Sequence, residues 1–116
     1  TEVVRAHRKI GEFYNDALKG VSGVTLLESN DDRESSYWVY TMKVENRPGF
    51  VKKLKEHGIA VSPVHDRNDK HKCFQEFAAA LPNLDSLCQE MICIPCGWWL
   101  GDEDREYVVE CIKGGW

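Results

Sequence analysis

The sequence predicts an α+β domain: a small, mainly antiparallel or mixed sheet with helices packed on one face. Short runs rich in aromatic and β-branched residues alternate with amphipathic helical segments, and a loop rather than a helix joins the first two runs. The 116 residues, 42% of them hydrophobic, suffice for one sheet layer with helices against it. We therefore expect a single domain over residues 1–116.

The opening segment has the pattern of an amphipathic helix. Its inward-facing side chains recur at helical spacing, at Val3, His7, Ile10, Tyr14 and Ala17. The pattern continues to Leu18, and Gly20 provides a stop. Because the chain starts without an initiator Met and directly inside this helix, we expect it to be one piece of a larger protein.

Two strands joined by a loop are predicted next. Residues 24–27 have the composition of a short strand, and residues 28–36 are too polar to be anything but a turn or loop. Residues 37–44 are rich in aromatic and β-branched types, which suit a pleated surface covered on at least one face. This second run is the clearest strand in the sequence.

A capped helix and a third strand are predicted after it. Asn46 can cap the helix, Pro48 fits its first turn, and Gly58 can adopt the left-handed conformation that closes it. Residues 59–64 are then predicted to form a strand that ends in a polar cluster.

Short helices, a strand and a last helix are predicted for the rest of the chain. Apolar spacing indicates helical segments at 74–81 and 84–91, with a break at Pro82, and a strand at 92–95. The last helix follows Gly101. Its first turn carries Asp102, Glu103 and Asp104, where the helix dipole favours negative charge.

Composition limits the partners. The chain has 15 Lys and Arg against 19 Asp and Glu, a net charge of -4, whereas a general phosphate-backbone binder normally has the reverse balance. The longest apolar stretches, 39–44, which polar residues interrupt, and 91–96, are far shorter than the roughly 20 residues of a membrane span. We expect neither nucleic acid nor a membrane as partner.

The five cysteines are odd in number and lie among apolar neighbours: Cys73, Cys88, Cys93, Cys96 and Cys111. No signal peptide is evident, so reduced thiols in a cytoplasmic protein are the simplest interpretation. Cys93 and Cys96 form a C-x-x-C, which leaves disulfide exchange or a zinc site as an alternative. Against it, the following helix starts several residues later, and no second ligand pair accompanies the motif.

The polar cluster at 65–71 is the candidate site. It places two imidazoles, a guanidinium, an amide and two carboxylates directly after a predicted strand. Arg67 could hold a phosphate or carboxylate by a two-pronged hydrogen bond, and His65 or His71 could bond a ligand oxygen near neutral pH. An ordinary charged loop has the same composition, so both interpretations stay open.

Trp98 and Trp99 either cap the core or form a contact with another domain or subunit.

An ordered series of short motifs resembles one known family. The motifs are Tyr37-Trp38-x-Tyr40, Asn46-Arg47-Pro48-x-Phe50, Leu54-x-x-x-Gly58-Ile59, His65-x-Arg67-Asn68-Asp69-x-His71, Leu81-Pro82, Ile94-Pro95-Cys96 and the closing helix. From about Arg5 to Trp116 the chain resembles the C-terminal small domain of the DegT-type nucleotide-sugar aminotransferases, which are pyridoxal-phosphate (PLP) enzymes of aminotransferase fold type I.

The resemblance implies a domain that is not catalytic alone. It implies packing on a large PLP-binding domain, a homodimeric parent, and amino transfer, typically from glutamate, to a keto group of a nucleotide-linked deoxysugar. In the family the Schiff-base lysine belongs to the large domain, so no catalytic, cofactor-binding or metal-binding residue is assigned here, and PLP is expected in the parent enzyme only.

The resemblance implies substrate contacts in the polar cluster. His65, Arg67 and His71 are the first candidates and Asn68 the next, although many relatives have a Tyr, Pro and His pattern there. Some relatives use the same scaffold for dehydration, so a PLP-dependent sugar dehydratase is one alternative. An independent α+β ligand-binding or interaction module and a thiol or metal protein are the others.

Overall fold

Three antiparallel strands form the sheet in the computed structural model, which describes residues 1–116. They are β1 (Val24–Leu26), β2 (Tyr40–Val44) and β3 (Met91–Ile94). β2 lies in the centre, with Val24 opposite Val44 on one side and Tyr40 opposite Ile94 on the other. The structure therefore confirms the α+β class and the antiparallel sheet.

Four α-helices complete the fold. They are α1 (Glu2–Leu18), α2 (Arg47–Glu56), α3 (Pro82–Glu90) and α4 (Asp102–Lys113), and two 3₁₀ turns, Asn68–Lys70 and Lys72–Phe77, precede α3. The side chain of Asn46 accepts a hydrogen bond from the Gly49 N–H at 3.3 Å, as a helix cap should. Gly58, with φ of +73°, closes α2 in the predicted left-handed conformation. No helix combines the length and the apolar character needed to cross a membrane.

The core lies between one face of the sheet and three of the helices. Along β2, Tyr40, Met42 and Val44 are buried, while the intervening Thr41 and Lys43 are half-buried on the other face. The buried partners from α1, α2 and α4 are Ile10, Tyr14, Leu18, Phe50, Leu54, Val108, Val109, Cys111 and Ile112. α3 lies on the opposite side, where Glu90 approaches Lys43 at 3.7 Å, and it contributes no buried residue.

The predicted strand at 59–64 is wrong. The segment makes one isolated bridge, between Ser62 and Cys93, and then leaves the sheet. Pro63 has no N–H to give to a ladder. Val64 has φ of +62°, and the His65 N–H donates to the Pro63 carbonyl at 2.7 Å, which closes a three-residue turn. The chain is thereby directed away from β3.

The predicted helix at 74–81 is also wrong, since that stretch is a 3₁₀ turn ending at Phe77. No residue between 60 and 91 is buried, so its apolar side chains have no core to pack against. Without such packing a short helix has little stability of its own. This protruding segment carries the polar cluster.

Candidate functional site

The polar cluster faces α3 across a shallow depression of about 350 Å³. One wall is formed by the predicted site residues and the other by apolar side chains: His65, Asp66, Arg67 and Asn68, then Leu84, Leu87, Cys88 and Met91. The structure thus brings three of the four predicted substrate-binding residues together. His71 lies outside this lining, at the start of the second 3₁₀ turn.

Arg67 is held by internal acceptors. Its Nε donates to Oδ1 of Asp69 at 2.8 Å, and one terminal nitrogen donates to the other oxygen of the same carboxylate. The second terminal nitrogen donates to Asp85, and a longer bond of 3.3 Å reaches the Ala79 carbonyl. This hydrogen bonding lowers the pKa of the Asp69 carboxyl and raises the pKa of Arg67. Most N–H groups of the guanidinium are therefore already bonded to acceptors within the chain.

Among the predicted substrate-binding residues, His65, Asn68 and His71 are exposed. The His65 ring lies beside Trp38, with the ring centroids 6.0 Å apart. The His71 backbone N–H donates to the Asn68 carbonyl at 3.1 Å, which leaves both side chains outside the turn. These three side chains can donate or accept hydrogen bonds toward a ligand.

Arg47 is a structural residue of the site that no sequence signal indicates. Its Nη1 donates to the carbonyls of Cys88 and Met91, at 2.6 Å and 3.0 Å, and so ties the start of α2 to the junction of α3 and β3. Its partners lie more than 40 positions along the chain. The sequence shows only an Arg before a Pro at a helix start, which indicates nothing about such contacts.

A separate apolar groove of about 670 Å³ lies between the 59–64 segment, the end of β3 and α4. Val61, Val64, Cys93 and Pro95 line it, and Trp99 stands at its rim. Trp38, Trp98 and Trp99, which we call the aromatic face, are 67%, 64% and 65% exposed. Such exposure opposes a role for Trp98 and Trp99 as a cap on the core and favours a contact with another surface.

The thiols of the C-x-x-C are buried and unpaired. Burial raises the pKa of Cys96 to about 11, and its Sγ lies 3.6 Å from the Tyr37 carbonyl. Cys93 Sγ lies 3.2 Å from Thr41 Oγ1. A thiol that stays protonated at neutral pH is a poor nucleophile. No group of three or more His, Cys, Asp or Glu side chains is placed to hold a metal ion.

The lysines do not form a cofactor site. None of the nine is buried, and the half-buried Lys43 faces the Glu90 carboxylate at 3.7 Å. A Schiff-base lysine acts from a pocket that excludes water and suppresses its charge. Within this chain, no lysine has such a pocket.

The geometry defines an α+β fold that exposes both the polar cluster and the aromatic face, with His65 of the first beside Trp38 of the second. Residues 1–113 match the model of the DegT/DnrJ/EryC1/StrS aminotransferase family. The chain belongs to that family.

Similar proteins include a sugar aminotransferase. The chain is 45% identical to the sugar aminotransferase CalS13 from Micromonospora echinospora, with a TM-score of 0.96 over 99% of this chain and 31% of that one. It is 44% identical to AtS13 from Actinomadura melliaura, with a TM-score of 0.96 and the same coverage. It is 25% identical to the erythromycin biosynthesis sensory transduction protein EryC1 from Saccharopolyspora erythraea, over 91% of this chain and 30% of that protein. The chain thus spans about a third of the length of these relatives.

Proposed function

We propose that this chain is the C-terminal small domain of a PLP-dependent aminotransferase that acts on a nucleotide-linked keto-deoxysugar. The observation that carries the proposal is the 45% identity and TM-score of 0.96 to a sugar aminotransferase over 99% of this chain. That aminotransferase chain is about three times as long as this one. We assign the additional length of the proposed enzyme to a large PLP-binding domain.

The proposed partners are that large domain, a second subunit in a homodimer, and the substrate. The aromatic face supports the first, because three largely exposed indoles, two of them in mutual contact, are costly to leave in water and are typical of a surface that another domain covers. An independent binding module would be expected to cover such side chains itself.

The proposed substrate contacts lie in the polar cluster. His65, Asn68 and His71 are exposed and carry groups that hydrogen-bond hydroxyl and phosphate oxygens. Arg67 belongs to the same site, although four of its five N–H groups are already engaged within the chain. PLP, bound by the large domain, would supply the electron sink for amino transfer. This chain would bind and orient the sugar nucleotide and keep water from the reacting carbon.

The test uses a polypeptide that contains this chain and the proposed large domain. The holoenzyme in its amine form is mixed with a nucleoside-diphosphate keto-deoxysugar, and the cofactor spectrum and sugar products are followed. An aminated sugar supports the proposal. A deoxygenated sugar without new nitrogen would establish the dehydratase alternative, and an unchanged spectrum with intact sugar would overturn both activities.

A second measurement tests the absence of a cofactor lysine. The chain alone is mixed with PLP, reduced with borohydride and mapped by peptide mass spectrometry. We expect weak labelling scattered over exposed lysines. Near-stoichiometric labelling of one lysine would mean that the cofactor site lies inside these residues and that the domain assignment is wrong.

A further inference from the structure

Arg67 connects three separate parts of the protruding segment. It bonds Asp69 within the polar cluster, the Ala79 carbonyl after the second 3₁₀ turn, and Asp85 in the first part of α3. Its side chain is only 10% exposed, in a stretch of chain that has no buried residue. The planar guanidinium suits this arrangement, because its fork of donors can meet several acceptors in fixed directions.

Apolar packing of this segment is weak. α3 contributes no side chain to the core, and Leu87 and Cys88 are its most covered apolar residues, each only half-buried. Polar bonds therefore contribute to holding the polar cluster against α3. The Arg67–Asp85 bond joins the two directly, from a residue that lines the depression to one in α3.

The charge around Arg67 also argues against direct anion binding. Two carboxylates, Asp69 and Asp85, contact the single guanidinium, so the three groups together carry a net negative charge. A phosphate approaching this trio would meet acceptors that already hold the donors, and it would be repelled by the excess charge.

We propose that Arg67 is a positioning residue: it clamps the polar cluster to α3 so that His65 and Asn68 face the sugar nucleotide, and it does not itself contact the phosphates. This inference rests on the proposed function for the identity of the ligand. The clamp itself is a property of this chain and is tested without any substrate.

The first experiment measures amide hydrogen exchange in the chain alone. Arg67→Ala and Asp85→Asn should each speed exchange in 65–71 and 78–85 by about tenfold, while the core strands stay protected. Arg33→Ala is the matched control, because Arg33 makes a similar two-pronged pair but only with its neighbour Asp32. Unchanged exchange in both clamp variants would overturn the proposal.

The second experiment separates positioning from direct contact by steady-state kinetics of the longer polypeptide. If Arg67 positions the loop, Arg67→Ala raises KM for the sugar nucleotide about tenfold with little change in kcat. Asp85→Asn raises KM in the same direction, and the double variant is no worse than Arg67→Ala, since Arg67→Ala already removes the Arg67–Asp85 bond that Asp85→Asn weakens. Arg67→Lys, which keeps the charge but loses the fork, restores only part of the affinity.

Direct contact gives the opposite result for Asp85. If Arg67 binds phosphate, Asp85→Asn frees a donor and leaves KM unchanged or lower, which would overturn the proposal. Faster exchange without any change in KM would reduce Arg67 to a structural role and would overturn it equally. A wild-type polypeptide without aminotransfer would overturn the proposed function and the substrate half of this inference, while the exchange data would still decide whether the clamp exists.

Discussion

Individual close contacts in this fold can oppose intrinsic backbone preferences, and Gly11 is the sharpest case. It lies inside α1, where alanine would normally be favoured over glycine by about 1 kcal/mol. A Cβ at this position would meet the Tyr37 ring at 2.5 Å. That ring is stacked on Tyr40 and its hydroxyl accepts a bond from Asn15 at 2.9 Å, so it cannot move freely.

We therefore predict that Gly11→Ala destabilises the chain despite its better helix propensity. Overpacking of this kind costs about 1–3 kcal/mol. Over most of that range the cost is larger than the gain in helix propensity. The measurement is the free energy of unfolding in urea. Gly114→Ala is the control, because the nearest atom to its Cβ is at 3.5 Å and its φ of -68° is ordinary. An increase in stability for Gly11→Ala would show that Tyr37 yields at little cost.

The cysteines are predicted to differ strongly in reactivity. Cys73 is exposed, whereas Cys96 is buried and its pKa is raised to about 11. A raised thiol pKa leaves less thiolate at any pH below it, so Cys96 should stay unmodified near pH 8 when Cys73 reacts. Timed alkylation with peptide mass spectrometry measures both rates, and Cys73→Ser should remove the fast phase. Equal rates at the two positions would contradict the burial of Cys96.

At the scale of elements, the sequence predicts regular structure where local signals and tertiary packing agree. β2 and the caps of α2 follow from strand composition and from Asn46 and Gly58. The prediction of a strand at 59–64 is wrong because the apolar pattern does not indicate the turn at Val64. This turn ends the pairing with β3 after one bridge. The polar cluster could be found from composition, but the bond from Arg67 to Asp85 could not, since it spans 18 positions and depends on where α3 lies.

Because α3 has no buried side chain, we predict that its anchoring depends on Arg47. Arg47→Ala removes two charge-assisted bonds to the carbonyls at the junction of α3 and β3. Bonds of this kind contribute about 1.5–3 kcal/mol each when a charged donor is involved, and water replaces part of that at this half-buried position. Amide exchange should rise in 82–91 before it rises in β2.

Arg5→Ala is the matched control for Arg47→Ala, because Arg5 is exposed on α1 and makes no side-chain bond. It should leave the exchange of 82–91 unchanged. A uniform loss of protection over the whole sheet in Arg47→Ala would contradict a local anchor and would place Arg47 among the residues that hold the core.

On the scale of the whole molecule, the two exposed regions differ in chemistry and follow from the same sheet. β2 and β3 are antiparallel and Tyr40 lies opposite Ile94, so the segment before Tyr40 and the segment after Ile94 leave the sheet at the same end of the strands. Trp38 and the Trp98–Trp99 pair are placed there, while the polar cluster continues from His65, beside Trp38. In the proposed enzyme, the surface that binds the large domain would therefore adjoin the surface that contacts substrate.

If the proposed large domain covers the aromatic face, the tryptophan emission of the chain should change. Three of the four indoles are about two-thirds exposed, so the chain alone should emit like indole in water. In a polypeptide that adds the proposed large domain, the emission of Trp38, Trp98 and Trp99 should shift to shorter wavelength and resist quenching by iodide, because the neighbouring domain covers them.

Since a large domain brings its own tryptophans, the comparison uses Trp98→Phe and Trp99→Phe variants of both polypeptides and reads the difference spectra. Trp116, which donates to the Glu45 carbonyl at 2.8 Å and packs on Phe50, is the internal reference that should not change. Equal difference spectra in the short and long polypeptides would mean that the aromatic face stays in water, and the partner surface would then have to be sought elsewhere on the domain.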